Sequence, residues 1–231
     1  INTEVLVRNK AGKIGLKQAD EKVPALLMFL QSKDYQFYKA GKPADAKTAA
    51  EFNKGGIAHL LTVGWKVHDV LINNAVDYDS AKEPFSEFTI RQSGVYEMSG
   101  YVLYKTNCEL KAGFASAKNA ADCFRNNYAG VIVAIQYKEP QAAQWINTTT
   151  TLQIWPLGAI NYTLTVAVPP VVKHLNAGDK LRMVFYRPSE NFGLPHGNSG
   201  KVYDGDTEGT FGIYSADGIE AVRSFKIVGI N

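Results

Sequence analysis

The chain has 231 residues, of which 45% are hydrophobic and 20% are charged, and its formal net charge at pH 7 is +3. These values are typical of a folded domain and exclude a largely disordered chain. Lys and Arg are mixed with Asp and Glu instead of forming a basic stripe, so nucleic-acid binding is not expected. No apolar run approaches the roughly 18 residues of a membrane helix, so membrane insertion is not expected.

The start of the chain predicts an arm followed by a buried strand. Residues 1–22 are polar and contain several Lys and Gly, which indicates an N-terminal arm or a loose first strand. The apolar run at residues 23–30 predicts a buried strand, with Pro24 near its start, where a missing backbone donor is tolerated. We therefore expect an arm over residues 1–22 and a single domain over residues 23–231.

A polar insert over residues 39–56 interrupts the domain. Its centre, residues 44–52, favours a short helix that ends at the glycine pair beginning with Gly55. After the insert, apolar residues alternate with a period of two over residues 57–63 and again over residues 65–71. This alternation predicts strands over both stretches.

The rest of the chain reads as further strands separated by turns. Residues 95–104 are apolar on both faces, as in a strand that lies between a core and a second surface. Residues 160–168 show the clearest alternation and predict a strand that stops at Pro169. The final strand is expected from Arg223 to Ile230. Eight to ten strands without a strong amphipathic helix between them predict an all-β, antiparallel sandwich.

Short motifs in this strand pattern resemble the C1q/tumour-necrosis-factor jelly-roll superfamily. An Asn-containing turn, a Tyr-Asp pair, a Phe strand, a Gly-Val-Tyr strand, a Gly-Asp turn and a closing Phe strand follow one another in the family's order. They lie at residues 70–74, 78–79, 88–90, 93–96, 175–181 and 224–229. The resemblance spans roughly residues 57–231 and departs from the family at the long segments 39–56, 106–129 and 188–209.

The resemblance implies a ten-stranded jelly roll that assembles as a tight trimer around a three-fold axis. Aromatic residues on the doubly apolar strand and on the late strands are then candidates for the subunit interface. These candidates are Tyr96, Tyr101, Tyr104, Phe211 and Tyr214. The alternative for each of them is that it fills the core of a single subunit.

The two cysteines, Cys108 and Cys123, are a candidate disulfide that would close a short loop if two strands lie side by side. The alternative is two reduced, partly buried thiols. Two cysteines alone decide neither the pairing nor the compartment.

One segment has the spacing of the first half of a calcium loop. Asp204, Asp206 and Glu208 occupy alternate positions, and Gly209 follows them. Ser215 stands where a calcium loop requires a bidentate Glu, and Asp and Gly are also the ordinary residues of an exposed turn. Calcium binding therefore stays open, and we expect no metal and no cofactor.

Catalytic patterns are weak in this sequence. The four histidines, His59, His68, His174 and His196, are far apart, and no Gly-x-Ser-x-Gly motif or phosphate-binding glycine loop occurs. His59 and His68 are expected within strands, where a structural role is common. We therefore expect a protein that is not an enzyme.

The leading hypothesis is a non-catalytic, trimeric virion structural protein of a bacteriophage, which acts as a capsid-decoration, fibre or receptor-binding module. Jelly rolls recur on virion surfaces, and a polar arm would anchor such a module on a larger particle. The expected partners are two further copies of the chain and a capsid protein or a host-surface receptor or glycan. The expected location is the virion surface or the extracellular space.

Two alternatives stay open. One is a secreted C1q- or cytokine-like receptor ligand, which glycosylation at Asn147, a formed Cys108–Cys123 disulfide and an upstream signal would favour. The other is a lectin-like domain, in which an exposed Trp145 or Trp155 would stack on a sugar ring. Burial in the core is the competing role for both tryptophans.

Overall fold

The computed structural model describes residues 4–8, 14–18, 25–39, 42–110, 128–156, 163–189, 207–215 and 221–230. Within these ranges, side chains are not described at residues 4–8, 14–18, 107–110, 128–129, 155–156 and 207–209. The N-terminal strands β1 (Glu4–Arg8) and β2 (Ile14–Gln18) pair antiparallel with each other as a hairpin.

The larger of the two main sheets is built around β9 (Gly94–Leu110), a strand of 17 residues. Its other strands are β12 (Leu164–Leu175), β14 (Thr207–Ile213), β15 (Arg223–Ile230), β3 (Ala25–Ser32), β4 (Gln36–Lys39) and β6 (Val70–Asn73). β12 pairs with one edge of β9, and β14 and β15 pair with successive stretches of β9. β4 and β3 extend the sheet beyond β14 and β15, and β6 follows β3.

The smaller sheet covers one side of the larger one. Its strands, in spatial order, are β11 (Ile146–Pro156), β10 (Tyr128–Lys138), β13 (Lys180–Tyr186), β8 (Phe88–Ile90) and β7 (Val76–Asp77), and β5 (Leu61–Thr62) also pairs with β13. All pairings in both sheets are antiparallel. Two such sheets with interleaved strands form a jelly-roll sandwich, which confirms the predicted fold class.

Aromatic contacts join the two sheets across the core. The Phe88 ring on β8 lies 5.8 Å from the Phe225 ring on β15, centroid to centroid. The Tyr104 ring on β9 lies 6.1 Å from the Phe185 ring on β13. All four side chains are buried, so the inward faces of both sheets share one hydrophobic core.

The predicted helix is present as α1 (Pro43–Lys54) and contributes to the same core. Pro43 suits the first turn of a helix, where its missing N–H needs no partner, and Gly55 ends the helix at φ +70°. Phe52 is buried and stacks on Phe211 at a centroid distance of 4.3 Å. The polar insert therefore supplies an apolar helix face to the sandwich.

The predicted strands over residues 57–63 and 65–71 were wrong in most of their length. Residues Ile57–His59 and Val67–Asp69 form single 3₁₀ turns, and only β5 and β6 are extended. The second turn is held because the Asp69 carboxylate accepts a hydrogen bond of 2.8 Å from the Lys66 backbone N–H. Such local side-chain bonding competes with a strand ladder, which the alternating pattern alone does not reveal.

Pro169 does not end the strand that precedes it, contrary to expectation. β12 continues to Leu175, and its register against β9 shifts between Val168 and Val171. The two prolines therefore occupy an irregularity in the ladder, where a missing donor breaks no regular hydrogen bond.

Gly212 is required where β14 passes β4. Its φ is +133°, and a Cβ atom at this position would lie 2.2 Å from the carbonyl oxygen of Gln36. We expect Gly212→Ala to lower the free energy of unfolding by about 2 kcal/mol or more. Urea denaturation would measure the loss. Gly94→Ala is the matched control, because a Cβ there makes only ordinary contact with Tyr96, and equal stability of the two variants would contradict this account.

Candidate functional site

The outward surface of the larger sheet carries a row of apolar side chains, which we call the apolar face. Along each strand these residues alternate with core residues such as Met28, Met98 and Ile227. The apolar face comprises Leu26, Phe29, Val95, Val172, Val228 and Ile230.

Strand register brings the apolar face together from four strands. Val228 on β15 lies opposite both Leu26 on β3 and Glu97 on β9. On its other side, the charged Glu97 lies opposite Val172 on β12 and so separates Val172 from Val228 along this row. Leu26 is 42% exposed and Val172 is 56% exposed. Exposed apolar side chains grouped on one surface in this way mark interaction sites.

One ion pair crosses the apolar face. Lys226 Nζ lies 4.0 Å from Glu97 Oε1, and both side chains are partly exposed. Because the two charges offset each other, the pair leaves the face without net charge. Contact with further copies of the chain is compatible with such a surface.

Three of the five aromatic residues predicted at a subunit interface fill the core instead. Tyr96 is 5% exposed, Tyr104 is 2% exposed and Phe211 is fully buried. Burial also raises the pKa of the Tyr104 hydroxyl above its ordinary range. These residues lie on the inward side of β9 and β14, so the prediction is corrected for them and the core alternative holds.

The other two candidates keep partly exposed side chains. Tyr101 lies on the outward side of β9, and its hydroxyl donates a hydrogen bond of 3.4 Å to the Ala221 carbonyl. Tyr214 packs against the rings of Tyr35 and Phe37 at 4.6 and 4.7 Å. Tyr101 packs in part against the core, and its exposed part stays a candidate for a subunit contact.

A cluster of charged side chains lies where β15 begins. Arg223 and Asp69 are almost fully buried, with Arg223 Nη2 3.9 Å from Asp69 Oδ2. Burial lowers the pKa of Arg223, and the two carboxylates nearby partly oppose that shift. Lys66 Nζ lies 2.7 Å from Asp34 Oδ2, and this contact lowers the pKa of Asp34 and raises that of Lys66. The cluster holds the connection between β3 and β4 against the sandwich.

An open pocket of about 600 Å³ lies on the outward side of the smaller sheet, and we call it the β7–β8 pocket. Tyr78 and Phe85 both line it, with their two rings stacked at 4.4 Å. The further lining residues are Asp77, Asp79, Lys82, Pro84, Ser86, Glu87, Thr89 and Lys180.

Beside the β7–β8 pocket, Trp145 belongs to a polar network on the same face. The Arg182 guanidinium lies 4.1 Å from the centre of the Trp145 ring. Arg182 Nε donates a 2.8 Å hydrogen bond to Gln136 Oε1, and Gln136 Nε2 donates one of 2.8 Å to Asn147 Oδ1. Burial lowers the pKa of Arg182. Trp145 is thus half-buried and packs on a cation instead of filling the core.

Several predicted features lie outside the described residues. Cys123, Asp204, Asp206 and His196 belong to undescribed segments, so neither the disulfide nor the calcium loop is tested. Cys108 is part of β9, and Glu208 pairs with Glu109 between β14 and β9. The side chain of Trp155 is also undescribed.

In the part of the chain that the structure describes, no three His, Cys, Asp or Glu side chains lie close enough together to hold a metal ion. Within the same residues, no helix is long and apolar enough to cross a membrane.

The two histidines expected within strands lie in 3₁₀ turns instead. His59 is within 3.5 Å of the Glu51 carboxylate, and His68 is within 3.5 Å of the Asp34 carboxylate.

Neither a protein-family model nor a curated protein matches this sequence. The resemblance to the C1q/tumour-necrosis-factor superfamily therefore stays a prediction based on its short motifs. The apolar face and the β7–β8 pocket are the two surfaces from which a function can be argued.

Proposed function

We propose that this chain is a non-catalytic assembly module that forms a homotrimer through its apolar face and serves as a virion structural protein. The observation that carries the proposal is the apolar face itself. It spans four strands of one sheet, while the inward side of that sheet is already filled by the core. An exposed apolar surface on the outside of a sandwich is stabilised when a partner buries it, and another copy of the chain is the simplest partner.

The composition of the apolar face favours a permanent contact between copies. Aliphatic side chains such as Val95, Val172 and Val228 dominate it, and its one ion pair is internally balanced. Interfaces between identical subunits are more apolar than transient ones. The number three comes from the resemblance to a superfamily of trimeric jelly rolls, and the jelly-roll fold supports it.

The virion role is proposed because jelly rolls recur as surface modules of virus particles. The alternative of a secreted receptor ligand uses the same fold and the same trimer. Neighbouring genes for capsid or tail proteins would favour the virion role, and an upstream secretory signal would favour the ligand.

Size-exclusion chromatography with multi-angle light scattering tests the trimer. The full chain at micromolar concentration is expected to give a mass three times the 25.4 kDa of one chain. Dilution to nanomolar concentration measures how tightly the subunits associate. A monomer at micromolar concentration would contradict the proposal.

A further inference from the structure

The β7–β8 pocket combines an aromatic platform with a ring of hydrogen-bonding groups. Tyr78 and Phe85 both line the pocket, and their stacking fixes the Tyr78 ring at the pocket wall. The hydroxyls of Ser86 and Thr89 line the same pocket. A volume of about 600 Å³ is within the range of small-molecule sites.

The charges around the β7–β8 pocket are paired one to one. Lys180 Nζ lies 3.2 Å from Glu87 Oε2, and Lys82 Nζ lies 3.2 Å from Asp79 Oδ2. A third carboxylate, Asp77, lies 2.7 Å from Arg91 Nε. The three carboxylates and two lysines of the lining balance when Arg91, which lies next to the lining, is counted with them. Because each charge already has a partner, this surface suits a neutral, hydroxyl-rich ligand better than a phosphate or a cation.

The sheet edge beside the pocket argues against a peptide. β7 is the edge strand of the smaller sheet and has only two residues, Val76 and Asp77. An extended peptide that adds to a sheet needs a longer row of free backbone groups. The ligand is therefore held by side chains.

We propose that the β7–β8 pocket binds a neutral saccharide. A sugar ring has an apolar C–H face, which stacks on an aromatic ring such as Tyr78, and hydroxyls that both donate and accept hydrogen bonds. Glu87 and Asp79 supply acceptors, and Lys180 supplies a donor. This saccharide proposal rests on the proposed adhesive function, because recognition of a sugar would be the means of adhesion. Its site lies on the smaller sheet, away from the apolar face, so the two are tested separately.

The test uses the full chain on a printed array of neutral oligosaccharides of glucose, galactose, mannose and N-acetylglucosamine, with sialylated and sulfated glycans beside them. Binding to at least one neutral group is expected, and calorimetry with that sugar gives the affinity. Tyr78→Ala is expected to weaken binding by about tenfold or more, because it removes the stacking platform. Tyr78→Phe keeps the ring and is expected to lose less.

Tyr35→Ala is the matched control, since Tyr35 is an exposed tyrosine in the connection between β3 and β4 and should leave sugar binding unchanged. Absence of binding, binding only to charged glycans, or full binding by Tyr78→Ala with wild-type melting would each overturn the inference. Light scattering of the same samples separates the two proposals, because a trimer that binds no sugar refutes only the pocket. A monomer that binds sugar refutes only the assembly.

Discussion

Val228→Asp is expected to turn the proposed trimer into a folded monomer. Val228 lies in the middle of the apolar face, between Leu26 and Glu97 on the neighbouring strands. An aspartate here would place a second carboxylate beside Glu97, and both would lose water when the subunits meet. Leaving such a charge buried without a partner costs on the order of several kcal/mol per contact.

The fold itself should tolerate Val228→Asp, because the Val228 side chain points outward and is partly exposed. Light scattering measures the mass, and circular dichroism with thermal melting reports whether the subunit is still folded. Val67→Asp is the matched control, because Val67 is 45% exposed but lies outside the apolar face. A trimeric Val228→Asp variant would show that another surface holds the subunits together.

Asp69→Ala is expected to lower the free energy of unfolding by about 3–5 kcal/mol. The Asp69 carboxylate is 1% exposed and faces the guanidinium of Arg223, which is 3% exposed. Without Asp69 the buried Arg223 loses its nearest opposite charge, and the backbone N–H of Lys66 loses its acceptor. The first loss falls on the start of β15, and the second falls on the 3₁₀ turn that precedes β6.

Urea denaturation at fixed protein concentration measures this loss. Asp69→Asn keeps an acceptor for Lys66 but removes the charge, so an intermediate loss is expected. The control is Asp79→Ala, which removes an exposed carboxylate paired with Lys82 and should change stability by less than about 1 kcal/mol. If Asp69→Ala and Asp79→Ala were equally stable, the buried pair would have no structural role.

The sequence predicts those parts of the fold that depend on residues close to one another in the chain. Alternation identified the closing strand β15, and the Pro and Gly at the ends of residues 43–55 delimited α1. The alternating pattern gave a wrong prediction at residues 57–71. There the Asp69 carboxylate accepts a hydrogen bond from the Lys66 backbone N–H, and a 3₁₀ turn replaces the expected strand.

The interface residues were harder to predict, because both faces of β9 are apolar. Alternation alone does not say whether Tyr104 or Tyr101 points inward, and the structure buries Tyr104. The apolar face also combines β3, β9, β12 and β15, which are far apart in the chain. The β7–β8 pocket likewise brings Lys180 beside Glu87, and no local pattern predicts that contact.

The pairing of β3 with β15 determines when the sheet can be completed during synthesis. Ser32 at the end of β3 accepts a hydrogen bond from Val222, and 189 residues separate Asp34 from its partner Arg223. One edge of β3 therefore stays unpaired until β15 has left the ribosome, and such non-local pairing folds slowly. Since β15 also supplies Val228 and Ile230, the proposed trimer can form through the apolar face only after β15 has been made and has paired with β3 and β9.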